Sequence, residues 1–240
     1  MIVVVRRRNI ALIVMLFLLS IAIYSLNIGN AEEAEPVTAG LEVLRTVIVD
    51  AGHGGEDPGA VSDYSGVREK DVNLIIAKKV KALLEQQNYK VILTREEDKL
   101  SYEEGTTGIL RKRYQDLTRR KKLIDESGAD IAISIHLNKF DQTSVHGAQT
   151  FYPRNNYEES QKLAVAIQSA IKETVDPENK REALMKDKDI LLLKNIKVPT
   201  VMVECGFLSN PDEEKKLVTE EYQDKLAQAI VNGINKYFGR

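Results

Sequence analysis

Residues 46–55 read Thr46-Val-Ile-Val-Asp-Ala-Gly-His-Gly-Gly55, an apolar, β-branched run that stops at a histidine set among glycines. Two later runs share this design, Ile131-Ala-Ile-Ser-Ile-His136 and Thr200-Val-Met-Val-Glu204. Short β-branched runs with helical patterns between them predict a largely parallel sheet, and in such sheets ligands bind outside the carboxyl ends of the strands. His53, His136 and Glu204 are therefore expected to meet at one edge of the sheet. Glu69 opens the helix that follows the first run, so two imidazoles and two carboxylates come within the same reading, an inventory suited to a metal hydrolase.

Outward from these runs the pattern alternates. Val72, Ile75, Ile76, Val80, Leu83 and Leu84 recur at helical spacing until Asn88, which predicts a helix of about five turns. Tyr89 to Thr94 reads as a second strand, Glu96 to Gly108 as a long polar loop near the site, and Leu110 to Glu126 as a basic helix stopped by Ser127-Gly128. A strand is predicted over Gly147 to Tyr152, a helix over Tyr157 to Val175, a charged loop over Asp176 to Lys188 and a short strand over Ile190 to Leu193. An amphipathic helix, Tyr222 to Phe238, closes the chain. The expected architecture is an α/β three-layer sandwich: a central, mostly parallel, twisted sheet of about six strands with helices on both faces.

The N-terminus has another character. Arg6, Arg7 and Arg8 precede an uncharged run from Ile10 to Leu26, too apolar for a soluble surface. Its length lies between the ~7–15 residues of a signal-peptide core and the ~20 of a spanning helix. Residues 1–31 thus read as an export signal or membrane anchor, with a weak cleavage site at Gly29-Asn30-Ala31. Residues 32–44, acidic and holding Pro36, read as a linker, and 45–240 as the catalytic domain. The protein is expected outside the cytoplasm, secreted or held to the membrane through an uncleaved N-terminus. With 34 basic and 36 acidic residues the net charge is -2, which gives no footprint for nucleic acid. The single cysteine, Cys205, excludes an intrachain disulfide.

Catalytic zinc commonly takes three protein ligands, and two histidines with one glutamate are an established set. His53, Glu69 and His136 supply it, although spacing alone leaves Glu69 open, since Arg68-Glu-Lys-Asp71 also suits a first-turn glutamate facing the helix dipole. Glu204 is expected to stay off the metal and to move the proton from the attacking water to the leaving group. His146 reads as exposed, Asp57 in Asp57-Pro-Gly59 as a turn former, and Cys205, on the opposite strand face from Glu204, as packing.

Four ordered blocks, Ile48 to Ala60, Arg68-Glu-Lys-Asp-Val-Asn-Leu74, Ser134-Ile-His-Leu-Asn138 and Val203-Glu-Cys-Gly-Phe-Leu-Ser-Asn210, closely resemble the zinc N-acetylmuramoyl-L-alanine amidases of bacterial cell walls. The resemblance covers about residues 45–238. It implies Zn2+ held by His53, Glu69 and His136, with Glu204 as the catalytic glutamate, and peptidoglycan as substrate. The segment Tyr102 to Gly108 with Arg111 and Lys112, and His146 to Tyr152, resemble the germination-specific, spore-cortex branch, which implies removal of the peptide stem as the first step towards muramic-δ-lactam. No wall-binding repeat and no long helical insertion near Glu204 is evident, which motivates the hypothesis of an exported activator protein. The rival readings are a zinc peptidase or carboxypeptidase acting on stem peptides, and a wall-binding module with an inactive fold.

Overall fold

The structure, a computed structural model, describes residues 7–29, 44–186 and 190–240. The chain falls into two units, Met1–Val43 and Leu44–Arg240. Within the first lies helix α1 (Arg7–Gly29). Among the described residues no helix is long and apolar enough to cross a membrane. Asn30 and Ala31 of the expected cleavage site, and the expected linker up to Val43, lie outside the described residues.

The second unit runs β1 (Thr46–Ala51), α2 (Glu69–Gln86), β2 (Lys90–Leu93), α3 (Ile109–Glu126), β3 (Ile131–Asn138), β4 (Gln149–Tyr152), α4 (Tyr157–Thr174), β5 (Leu184–Met185), β6 (Thr200–Phe207), α5 (Pro211–Leu217) and α6 (Glu220–Phe238). Six strands form one sheet in the order β2-β1-β3-β6-β4-β5. The β2-β1-β3-β6 pairs are parallel, β4 runs antiparallel to β6, and β5 is parallel to β4.

Strand alternation sorts the side chains. Val47, Val49 and Ala51 of β1, Ile131, Ile133 and Ile135 of β3 and Val201, Val203 and Cys205 of β6 enter one core with the apolar stripes of α2, α4 and α6. Each fully buried aliphatic side chain there contributes about 1.5–3 kcal/mol, so this face holds most of the fold's stability. Ile48 and Ala132 face the other way and meet Ile124 of α3, with Leu192, Ile196 and Val198. Asp50, Ser134, His136, Met202 and Glu204 alternate onto that second face as well. Helices therefore cover both faces, in the three layers expected. The closing helix is capped at both ends: the Thr219 side chain accepts from the Tyr222 N–H, and Gly239 takes the left-handed conformation.

Three local expectations need correction. Ile190 to Leu193 is not a strand; residues 191–195 form turns, and Leu192 and Ile196 lie over Ile48 and Ala132 as part of the second face's cover. A short apolar run satisfies either role. The strand between β4 and β6 in the chain is instead β5, Leu184–Met185, inside the stretch expected to be a charged loop, because β4 offers an open edge to it. The runs ending at His136 and Glu204 also continue: β3 pairs with β6 as far as Asn138 and Phe207, with a register shift after His136. Helix α5, capped by Asn210 and started by Pro211, had no apolar periodicity to announce it.

Candidate active site

Just beyond β1 the backbone turns sharply, with His53 at a φ of 62°. That left-handed conformation is uncommon for a residue other than glycine and is kept only where the surroundings enforce it. Here they do: the His53 carbonyl accepts from Arg120 Nη2 at 2.8 Å, and Gly54 and Asp57 exchange backbone hydrogen bonds. Gly52 admits the neighbouring ring, since a Cβ at that position would lie 2.3 Å from His136 Cε1. Gly59 does the same for Glu69, whose Oε2 would lie 2.4 Å from a Cβ there.

Glu69, the first residue of α2, is the hub. Its Oε1 lies 3.3 Å from His53 Nε2 and 2.9 Å from His136 Nδ1, and accepts the Leu137 N–H at 3.0 Å. Its Oε2 accepts the Ala60 N–H at 2.7 Å. Burial alone would raise its pKa, but the hydrogen bonds and charges of His136 and His53 hold the carboxyl far below the usual range. Burial likewise disfavours a charged His53, and hydrogen bonds to Asp57 and Glu69 outweigh it, raising its pKa to about 9. The two imidazole rings stand edge to face with centroids 5.1 Å apart. One donor atom each from His53, Glu69 and His136 lies within 4.8 Å of the others, a cluster able to hold a metal ion.

Glu204 pairs with His136 across the β3–β6 ladder and lines the same cavity of about 260 Å³ as His53, Glu69 and His136. It is 8% exposed, and its Oε2 is one of the few buried side-chain atoms without a hydrogen-bond partner among the described residues. Burial pushes its pKa up, against the opposing charges of His136 and Lys186. Leu100, Leu117, Ile190, Leu192 and Met202 give the cavity an apolar wall.

The profile of the N-acetylmuramoyl-L-alanine amidase family matches residues 47–236. The chain belongs to that family. It is 37% identical to the germination-specific N-acetylmuramoyl-L-alanine amidase of Bacillus subtilis (strain 168) over 222 residues, 92% of this chain and 91% of that protein. Among solved structures it resembles the CwlD amidase of Clostridioides difficile, determined in complex with the GerS lipoprotein, at 46% identity with a TM-score of 0.79. That likeness covers 81% of this chain and 98% of the other. An N-acetylmuramoyl-L-alanine amidase from Clostridium difficile 630 follows at 34% identity and a TM-score of 0.70, over 82% of this chain and 97% of that one.

In this amidase all four sequence-selected polar residues reach one cavity. His146 is exposed, its ring meets the Ser144 carbonyl and its own carbonyl accepts from Arg181 Nε, while Cys205 is fully buried in the core with its thiol pKa pushed up by burial. The sequence reading passed over three further residues. Asp57, read as a turn former, lies 2.7 Å from His53 Nδ1, which fixes the ring and leaves Nε2 for the cluster, and 3.1 Å from Arg113 Nε. Its spacing of four from His53 in a glycine-rich turn was the available signal. Asn73 donates to Gly52 O and Glu69 Oε1, both at 3.3 Å, one helical turn after Glu69. Lys186 lies 3.6 Å from Glu204 Oε1, and nothing in its charged surroundings singled it out.

Proposed function

We propose that this amidase hydrolyses the amide between the lactyl group of N-acetylmuramic acid and L-alanine of the stem peptide, in spore-cortex peptidoglycan, as the first step towards muramic-δ-lactam. The single observation that carries the reading is the convergence of His53, Glu69 and His136 on one point beside the unpartnered Glu204 Oε2. The similarity to the germination-specific amidase supports the cortex as the site of action.

The donor set fits zinc: two imidazoles and a carboxylate held ionised, with His53 oriented through Nδ1 by Asp57. His53, Glu69 and His136 would hold the ion. Bound zinc supplies a Lewis acid for the scissile carbonyl and lowers the pKa of water to ~7. Glu204 takes the proton of the attacking water and returns it to the departing L-alanine nitrogen; burial raises its pKa, which makes it a stronger base than an exposed carboxylate. The apolar wall of Leu100, Leu117 and Met202 excludes bulk water and accommodates the lactyl and alanyl methyl groups.

Residues 1–31 act as export signal or anchor, 32–44 as linker and 45–240 as the catalytic domain, which places the activity outside the cytoplasm. The complex of the C. difficile relative with a lipoprotein supports an exported partner for this chain too. Mass spectrometry of digested peptidoglycan tests the reaction. Stems with a free L-alanine amine are expected, whereas cleavage within the stem would establish a peptidase instead. Metal analysis of the purified chain with and without a candidate partner tests the activator.

A further inference from the structure

The two oxygens of Glu204 are in different situations. Oε2 is buried without a hydrogen-bond partner among the described residues, while Oε1 lies 3.6 Å from the Lys186 ammonium. Both side chains are largely shielded, at 21% exposure for Lys186 and 11% for Glu204. In such a place a unit charge acts with much less screening than in water. A lysine loses much side-chain freedom when it is held, so an ordered ammonium needs restraints. Lys186 has two: its backbone N–H donates to Tyr152 O at 2.9 Å, extending the β4–β5 pairing, and its Nζ stands 4.0 Å from the centroid of the Phe151 ring. Phe151 belongs to β4, which runs beside β6, with Gln149 opposite Glu204 in the ladder. A two-residue strand at the sheet edge thus delivers one cation to the carboxylate that the reaction uses.

We propose that Lys186 is the positioning residue for Glu204: through Oε1 it fixes the orientation of the carboxylate that takes and returns the proton. This rests on the amidase reading above. A purely structural Lys186, pinning β5 to the sheet, would instead contribute to stability without regard to the chemistry of residue 204.

The test uses the full chain loaded with zinc and compares wild type, Lys186→Met, Lys186→Arg, Glu204→Gln and the Lys186→Met/Glu204→Gln double variant. Release of stems with a free L-alanine amine is followed, beside zinc content and Tm. Lys186→Met is expected to lower kcat by about tenfold or more while KM and zinc content hold, and Lys186→Arg to restore most of the loss. In the Glu204→Gln background the Met substitution is expected to change the residual rate less than about twofold, because the two side chains act as a unit. Wild-type kcat in Lys186→Met, or an equal loss in the Glu204→Gln background, overturns the proposal. If Lys186→Met does not fold, Lys186→Gln provides the same comparison. Cleavage within the stem by the wild type overturns the amidase reading itself, a failure distinct from an active wild type with an unaffected Lys186 variant.

Discussion

Two buried polar clusters meet at the end of β1, and they differ in how fully their members are paired. In the first, Asp50 accepts from Thr94 Oγ1, Arg120 Nη1 and Ser134 Oγ at 2.6, 2.9 and 2.6 Å. Arg120 also donates to Asp116 and to the Ala51 and His53 carbonyls, and Asp116 takes the Ser101 N–H. In the second, Glu69 gathers His53 and His136, while Glu204 keeps one oxygen unpartnered and a raised pKa. The first cluster has spent its hydrogen-bonding capacity on holding the backbone at residues 51–53 in place. The second retains donor atoms able to hold a metal ion, and a buried carboxylate oxygen with no partner among the described residues. Completeness of pairing, more than burial or charge, separates the scaffold from the chemistry here.

Substitutions in the open cluster should abolish activity at little cost in stability. Glu204→Gln is expected to lower kcat by about 10²–10⁴-fold with zinc retained, and His53→Ala to lose both zinc and turnover; kinetics beside metal analysis decides. A Glu204→Gln protein with wild-type turnover would remove the distinction between the clusters. The closed cluster should behave in reverse. Arg120→Ala leaves Asp50 and Asp116 as uncompensated buried charges and should cost about 3–5 kcal/mol in denaturant unfolding, much of the margin of an ordinary domain. Unchanged stability there would break the comparison from the other side.

Asp57 sits between the two and sharpens the boundary. Asp57→Ala frees the His53 ring, so zinc affinity should fall about 10–100-fold in a metal competition titration while the fold persists. The smallest expected effect is on acid stability. Burial opposes ionisation of Asp50, yet Arg120, Ser134 and Thr94 lower its pKa from 3.8 to about 2. A carboxyl whose pKa is depressed in the folded state stabilises the fold above its unfolded pKa. That contribution, about 2 kcal/mol, is lost as pH falls from near 4 towards 2. Unfolding curves of wild type and Asp50→Asn should therefore converge over this window; a gap that stays constant would remove Asp50 from the account.

The legible and illegible parts of the molecule follow the same line. The runs at 46–51, 131–136 and 200–204 carry a hydrophobic pattern strong enough to mark strands, and parallel pairing then brings their polar ends together. Leu184–Met185 carries no such pattern. Two residues offer no period, and the pairing depends on the open edge of β4, while the stronger apolar run at 190–193 is drawn onto the second face of the sheet. Asp57 and Lys186 were missed for a related reason: a carboxylate in a turn and a lysine in a charged stretch are ordinary until a neighbour from elsewhere in the chain arrives.

The sequence by itself determined the α/β alternation, the parallel core of the sheet and the placing of His53, His136 and Glu204 near one cavity, while Glu69, left open by spacing, was joined to them by the family resemblance. Periodicity and residue type act locally, and local preferences are written in the order of the chain. Only the tertiary structure decided which oxygen of Glu204 stays unpaired, which cation stands beside the other, and that Arg120, 70 residues from Asp50, locks the turn at His53. Those outcomes depend on distances of a few ångströms between groups remote along the chain, set by how helices and strands pack and not by any neighbouring residue.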